Sequence, residues 1–137
     1  MDRLVLESKL ESLRRCVERV HQRCPATADA LANDLDAQDV VVLNLSRAVQ
    51  LCVDIAMHKL TGLDCATPTT MGEAFEALAR AGLIDAGLCQ RMRAAVGFRN
   101  LAVHNYDTIS WAIVFSIAKD HLDDFRSFAK AMLHPAI

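Results

Sequence analysis

Aromatic residues, glycine and proline are all scarce in this chain. Aromatic residues make up 5% of its 137 residues, and it contains only 5 glycines and 3 prolines. So few breakers exclude collagen-like, linker-rich and disordered chains. Hydrophobic residues nevertheless make up 53% of the sequence, many of them alanine, leucine and valine, a composition that favours helices over strands. We therefore expect a single all-α domain over residues 1–137.

The chain also lacks a strong net charge, paired cysteine spacings and a long apolar run. Its net charge of −2 argues against a protein that coats nucleic acid, so any RNA contact must come from a local basic patch. The five cysteines have neither zinc-ribbon nor C-x-x-C spacing, which favours buried or half-buried free thiols in a reducing compartment. The sequence shows no signal peptide and no uninterrupted run of about 18 apolar residues. We expect a cytoplasmic protein that does not span a membrane.

The first half of the chain predicts two long helices. Apolar residues recur every three or four positions from Leu6 to Cys24, and Pro25 ends that stripe. A second helix is predicted from about Asp29 to Leu60, with a middle that is apolar on nearly every side. Such a helix is buried or has two covered faces, which is a first indication that a second chain packs on it.

The second half predicts one short helix and two long ones. Thr70 and Glu73 have the spacing of a capping box, so a short helix starts there and ends at Gly82. Asp85 caps a fourth helix, and Asp107 or Thr108, in a corner at residues 105–108, caps the last helix. The fold prediction is an antiparallel helical bundle of four long helices and one short helix, with short connections.

One segment of the sequence combines basic residues with a complete absence of acidic ones. Residues 87–105 contain Arg91, Arg93 and Arg99 and no aspartate or glutamate. In a chain of net charge −2 this is a local positive patch that closes on His104. Arg91 and Arg93 are therefore candidates for RNA binding.

These residue types suit the cleavage of RNA by its own 2′-hydroxyl, a reaction that needs no metal if a base removes the hydroxyl proton. His104 can act as that base, or protonate the leaving oxygen, because histidine titrates near neutral pH. Arg99 can bind two phosphate oxygens and stabilise the charge that develops on phosphorus. Asn100 can hold a phosphate oxygen or orient the imidazole. The reaction needs a base and an acid, and a two-fold homodimer would supply two histidines to one cleft.

The same residues also have purely structural interpretations. Arg99 can pair with an acid, His104 can bind a carbonyl at a helix end, and Tyr106, the only tyrosine in the chain, can be a packing residue. Arg99 and His104 lie about 140° apart on an ideal helix, so they converge only if the helix ends or unwinds near Val103. Gly97 inside a helix costs roughly 1 kcal/mol relative to alanine, which close approach by another helix would explain.

Three other polar features receive weaker interpretations. Asp54 and His58 have i, i+4 spacing on the second helix, but no third metal ligand stands at bundle spacing, so we expect a hydrogen bond and no metal site. Arg47 and Asp54 interrupt the apolar second helix and either line the same RNA-binding cleft or form an ion pair. We expect His121 to be a satisfied core histidine.

Residues 96–106, with the sequence VGFRNLAVHNY, resemble the signature of the HEPN superfamily and, more narrowly, of the HepT toxins of HepT/MntA toxin–antitoxin pairs. The likeness extends to residues 39–45, 51–56 and 73–78, and so covers about residues 37–106. The first 35 residues and the last helix are similar only in their helical character.

The resemblance implies an all-α homodimer that acts as a metal-independent endoribonuclease without a cofactor. It implies that Arg99 and His104 face a cleft between the subunits and that Asn100 assists them. It also implies a partner, an ATP-using nucleotidyltransferase antitoxin that transfers AMP to Tyr106. An adenylylated Tyr106 would place negative charge and a bulky base two residues from His104, where the charge would pair with Arg99.

Two alternative functions fit the same residues. The chain can be a non-catalytic HEPN module that docks on a nucleotidyltransferase and completes its nucleotide or substrate site, with Arg99 binding phosphate. It can also be a purely structural helical dimer. Loss of toxicity on substitution of Arg99 would separate the toxin from both.

Overall fold

A computed structural model of the chain describes residues 2–133. Within that range the fold consists of seven α-helices and one 3₁₀ turn, and no strand is present. The helices, in chain order, are α1 Arg3–Arg23, α2 Ala28–Ala32, α3 Leu35–Leu60, α4 Met71–Arg80, α5 Ala86–His104, α6 Trp111–Asp120 and α7 Leu122–Leu133, with the 3₁₀ turn at Tyr106–Thr108 between α5 and α6. The all-α prediction is confirmed.

The predicted apolar stripe of the first helix is confirmed as the buried face of α1. The helix begins after Asp2, whose carboxylate accepts a hydrogen bond from the backbone N–H of Leu4 at 3.0 Å. It ends two residues before Pro25. The buried residues of this face are Leu6, Leu13, Cys16, Val17 and Val20.

The predicted second helix is divided into α2 and α3. The chain leaves the helical conformation at Asn33 and Asp34, and each side chain replaces a backbone partner. The Asn33 amide donates to the carbonyl of Asp29 at 2.8 Å, and the Asp34 carboxylate accepts from the N–H of Ala37 at 3.0 Å. Asp34 thus starts a new helix inside a stretch that apolar spacing alone reads as continuous.

The all-round apolarity of α3 is explained by neighbours in its own chain. α3 is the central helix and packs against α1, α2, α4, α5 and α7. By length and composition alone it is apolar enough to cross a membrane, and 56% of its most apolar window is buried inside the protein. The apolarity of α3 therefore does not require a second chain, and a dimer must be argued from other residues.

The caps of α4 and α5 lie where the sequence predicts them. Thr70 accepts from the N–H of Glu73 at 3.2 Å, while the Glu73 carboxylate reaches back to the N–H of Thr69 at 2.8 Å instead of to Thr70. Asp85 accepts from the N–H of Leu88 at 2.7 Å and begins α5. Between them Gly82 has a φ of 79°, which glycine adopts without strain and which turns the chain out of α4.

The last predicted helix also differs in its start and its continuity. The corner at residues 105–108 forms a 3₁₀ turn, and Ser110, two residues later, accepts from the N–H of Ile113 at 3.4 Å and caps α6. The prediction that the corner itself caps the helix is therefore wrong. The helix is interrupted at His121 (φ −121°, ψ 6°) and continues as α7.

Candidate active site

The predicted catalytic residues lie on the last two turns of α5. The helix remains regular through His104, and the N–H of Asn105 still donates to the carbonyl of Leu101 at 2.8 Å. Because the helix is regular through His104, the side chains of Arg99 and His104 point about 140° apart around the axis of α5. The helix ends one residue after Val103, at His104, yet no hydrogen bond joins Arg99 to His104 among the described residues.

Arg99, Asn100 and His104 nevertheless lie together on the last two turns of α5, and we call them the α5 cluster. His104 is exposed and Arg99 is half-buried. The Arg99 guanidinium donates to the Asn100 side-chain oxygen at 3.2 Å, and Asn100 stands one helical turn before His104. Among the described residues no acid pairs with Arg99. The interpretation of Arg99 as half of an ion pair is therefore wrong, and its charge is available to a phosphate.

Tyr106 lies on the 3₁₀ turn directly after the cluster and contacts two other elements. Its hydroxyl donates to a carboxylate oxygen of Asp39 on α3 at 3.4 Å. Its ring meets the Trp111 ring of α6 edge to face, with the centroids 6.0 Å apart. Burial, and then the charge of Asp39 and its hydrogen bond, raise the pKa of Tyr106 above the usual value of a phenol. The phenol therefore stays protonated near neutral pH, and the residue is still 38% exposed.

The contact between Asp39 and Tyr106 was not predicted from the sequence. The two residues are 67 positions apart, and no periodicity links positions so distant. Asp39 falls within a segment that resembles the HEPN pattern, but it carries no distinguishing spacing. Only the packing of the start of α3 against the end of α5 brings the carboxylate to the phenol.

Exposed apolar side chains lie close in sequence to both residues of this contact. Leu43 lies one turn after Asp39 on α3 and is 50% exposed, and Val103 lies three residues before Tyr106 and is 53% exposed. Large apolar side chains left in water near polar functional groups are typical of a surface that another protein covers. We call these two exposed side chains, Leu43 and Val103, the apolar flank.

Two of the three predicted RNA-binding arginines have acidic partners from other helices. Arg91 pairs with Asp124 of α7 at 2.8 Å, and Arg93 pairs with Glu76 of α4 at 3.0 Å. Residues 87–105 contain no acid in sequence, yet the fold supplies two, which lowers the positive charge of the patch. The role of these arginines in RNA binding stays a prediction.

Arg47 has a different environment from the other two arginines. It lies in a groove of about 680 Å³ between α1 and α3, which is lined by further arginines, Arg19 among them, and by the acids Glu18 and Asp54. In the part of the chain that the structure describes, neither Arg47 nor Arg19 has a salt-bridge partner. The alternative of an ion pair between Arg47 and Asp54 is wrong, because Asp54 contacts Lys9 at 4.0 Å and accepts from Gln50 at 3.0 Å.

The remaining chemical candidates do not form a second site. Within residues 2–133, no group of three or more His, Cys, Asp or Glu side chains could hold a metal ion. The five cysteines are free, as predicted, although Cys65 is exposed. His121 is exposed and stands 3.3 Å from Asp124, so its interpretation as a core histidine is wrong.

Comparison with known proteins identifies relatives that span almost the whole chain. The family model described as "Ribonuclease HepT-like" matches residues 13–132. The chain is similar to an mRNA nuclease HepT of Shewanella oneidensis, with 32% identity over 90% of this chain and 92% of that protein. It is also similar to a tRNA nuclease HepT of Aphanizomenon flos-aquae, with 25% identity over 93% of this chain and 86% of that protein.

A solved structure has the same fold. It contains a tri-AMPylated HEPN toxin of Shewanella oneidensis in complex with an MNT antitoxin. The superposition has a TM-score of 0.88 at 31% identity and covers 96% of this chain and 97% of the toxin. The likeness in fold thus extends over the helices that carry Arg99, His104 and Tyr106.

Proposed function

The chain belongs to the HepT-like ribonuclease family, and we propose that it is the toxin of a toxin–antitoxin pair. In this proposal the protein is a metal-independent endoribonuclease that works as a homodimer. A nucleotidyltransferase antitoxin neutralises it by transferring AMP from ATP to Tyr106. The observation that carries the proposal is the α5 cluster, in which Arg99 has no acidic partner among the described residues and His104 faces solvent.

Each group of the cluster has a defined task in the proposed reaction. His104 of one subunit takes the proton of the RNA 2′-hydroxyl, whose oxygen then attacks the adjacent phosphorus. Arg99 stabilises the negative charge that develops on the phosphoryl oxygens. His104 of the other subunit protonates the leaving 5′-oxygen. Asn100 fixes the guanidinium through the 3.2 Å hydrogen bond.

The apolar flank supports a dimer at this end of the molecule. Leu43 and Val103 are both half exposed, and burying such side chains against a second copy stabilises the dimer by about 25 cal/mol per Å² of apolar surface. A two-fold axis near the flank would bring two copies of the α5 cluster to one cleft. The 140° angle between Arg99 and His104 within one subunit is compatible with such a dimer, because each of the two side chains can face the α5 cluster of the other subunit.

We propose that RNA also binds in the groove between α1 and α3. Arg47 and Arg19 offer charge there without an acidic partner in the described part of the chain. Arg91 and Arg93 contribute less in this proposal, because Asp124 and Glu76 already neutralise part of their charge. Arg47 is therefore the strongest of the three candidates for binding the phosphate backbone.

Modification of Tyr106 would block the cleft by charge and by bulk. Tyr106 is 38% exposed and lies two residues after His104. An adenylyl group adds a phosphodiester anion, which competes with RNA for Arg99, and a purine that occupies the space of a nucleotide. A relative, the Shewanella oneidensis HEPN toxin, is tri-AMPylated in complex with an MNT antitoxin, which supports AMPylation as the means of neutralisation.

Cleavage of cellular RNA by the purified, unmodified protein tests the nuclease. We expect the His104→Ala variant to lose at least about 100-fold in rate, which is typical for the removal of a general base. The His21→Ala variant is the matched control, because His21 is an exposed histidine in the last turn of α1. Equal cleavage by the wild type and His104→Ala would refute the role of His104.

Intact-mass measurement after incubation with the partner and ATP tests the neutralisation. We expect additions of the mass of adenylate on the wild type and none on Tyr106→Phe, which keeps the ring contact with Trp111. A wild type that is neutralised without a mass change would mean that the partner acts by occlusion. A protein that is modified but cleaves no RNA would be the non-catalytic module instead.

A further inference from the structure

The hydrogen bond between Tyr106 and Asp39 links the proposed modification site to a carboxylate that is separate from the proposed nuclease cluster. Asp39 lies in the second turn of α3, on an exposed position, and its oxygen stands 3.4 Å from the phenol oxygen. The Trp111 ring packs edge to face with the tyrosine ring, at 6.0 Å between centroids. Tyr106 thus contacts two elements besides its own, α3 through its hydroxyl and α6 through its ring.

We propose that Asp39 orients the Tyr106 hydroxyl and accepts its proton when the adenylyl group is transferred. This inference rests on the proposed function, since it concerns the same modification. The base that activates the acceptor tyrosine then belongs to this chain and not to its partner. The co-substrate is a nucleoside triphosphate held by the partner.

The adenylyl transfer involves the Tyr106 hydroxyl, the Asp39 carboxylate and the triphosphate. The Tyr106 oxygen attacks the α-phosphorus of the triphosphate, and a new bond forms between that oxygen and phosphorus. The bond from the α-phosphorus to the bridging oxygen breaks, and pyrophosphate leaves with the electron pair. The phenol proton moves to the Asp39 carboxylate and then to water.

A base is needed here because the environment disfavours the phenolate. Burial and the nearby Asp39 charge raise the pKa of Tyr106, so the nucleophile stays protonated near neutral pH. A carboxylate at hydrogen-bond distance removes the proton as the new bond forms, and avoids a free phenolate. The 3.4 Å separation is long for a working contact, and such contacts commonly shorten in the reactive complex.

No other charged group takes this place among the described residues. From α3 the group that faces the hydroxyl is Asp39, and from α6 the neighbour is the uncharged ring of Trp111. Asp39 is also the only charged residue that perturbs the pKa of Tyr106. Asp36, one turn earlier on α3, is exposed and makes no hydrogen bond or ion pair in the described part of the chain, which makes it a matched control.

Ultraviolet titration of the phenol tests the contact without any partner. Tyr106 is the only tyrosine, so the phenolate absorbance reports this residue alone. We expect the wild type to titrate above the usual value of about 10, and Asp39→Asn to titrate at lower pH than the wild type because a negative neighbour is lost. Asp36→Asn should titrate as the wild type does. An unchanged titration in Asp39→Asn would overturn the contact.

The rate of modification tests the proton transfer. With partner and ATP in excess at pH 7, we expect Asp39→Asn to be adenylylated at least about tenfold more slowly than Asp36→Asn, because an amide can accept the hydrogen bond but cannot take the proton. The ratio of the two rates should approach one as the pH rises and the phenolate forms unaided. A purely structural role would leave that ratio independent of pH.

The outcomes separate this inference from the function on which it rests. If the wild type is not modified on Tyr106, the proposed neutralisation fails. If the wild type is modified on Tyr106 and Asp39→Asn is modified equally fast at every pH, only the role of Asp39 is overturned. Circular dichroism of both variants checks that they are folded, and Asp39→Ala adds a variant that lacks the acceptor altogether.

Discussion

At the scale of single residues, Asn100 has the most specific position in the proposed nuclease cluster. It accepts a hydrogen bond from Arg99 and stands one turn before His104. A neutral amide orients the guanidinium without cancelling its charge, so the arginine remains able to bind phosphate. An aspartate at the same position would form an ion pair with Arg99 and compete with the RNA.

Two substitutions of Asn100 should therefore have different effects. We expect Asn100→Ala to slow RNA cleavage by about tenfold, the worth of one hydrogen bond to a charged group. Asn100→Asp should slow it by more, close to the loss in Arg99→Ala, because the new carboxylate neutralises the guanidinium. Steady-state cleavage rates at matched dimer content measure both. Equal activity of Asn100→Asp and the wild type would exclude Arg99 as the phosphate-binding group.

The candidate residues of α5 were predictable from the sequence, but their charge environment was not. Arg99, His104 and Tyr106 are close in sequence, so spacing and helix geometry are enough to group them. The partners of Arg91 and Arg93 come from α7 and α4, and a count of charges along a segment cannot include acids from distant elements. The same holds for the carboxylate that faces Tyr106.

At the scale of elements, helices that begin with a strong cap were predicted well, and interruptions inside apolar stretches were missed. Thr70 and Asp85 cap their helices as the sequence indicates. The breaks at Asn33 and at His121 follow no proline or glycine. At the first break side-chain hydrogen bonds replace backbone ones, a competition that hydrophobic periodicity does not register.

The surroundings of Gly97 on α5 also differ from the prediction. The expectation that another helix approaches it closely is wrong within the chain, because a Cβ placed there would meet no atom within 4 Å. We expect Gly97→Ala to raise the free energy of unfolding by roughly 1 kcal/mol, since alanine favours a helix interior. Thermal denaturation at fixed protein concentration measures it.

The exposed Ala94 on the same helix allows the reverse substitution as a control. Ala94→Gly should lower the free energy of unfolding by a similar amount. If Gly97→Ala instead destabilises the protein or breaks the dimer, a second chain lies against this glycine, and the free space at Gly97 belongs to the isolated subunit alone.

At the scale of the whole molecule, the bundle places its most apolar helix at the centre and leaves the apolar flank uncovered. α3 is surrounded by five other helices, so its composition reflects the core and not an interface. Leu43 and Val103 remain half exposed beside the modification site. Composition and periodicity predicted the all-α class because helix propensity and burial act along the chain, whereas the surface used by a second copy depends on how helices are arranged.

Charged substitutions on the apolar flank test the dimer. We expect Leu43→Glu with Val103→Glu to give a monomer in sedimentation analysis and to abolish RNA cleavage, because a buried unpaired carboxylate is strongly unfavourable. Leu4→Glu is the control: Leu4 is 74% exposed and lies near the opposite end of α3, since Lys9 of α1 contacts Asp54. An active dimer that carries both substitutions would place the interface elsewhere.

The chemistry of the RNA ends tests the central claim most directly. The unmodified protein should be incubated with RNA in the presence of a metal chelator, and the product ends identified by mass spectrometry. Attack by the 2′-hydroxyl, with His104 as base and Arg99 on the phosphate, predicts 2′,3′-cyclic phosphate and 5′-hydroxyl ends, formed at an undiminished rate without metal. Products with 5′-phosphate and 3′-hydroxyl ends, or cleavage that stops in chelator, would contradict it.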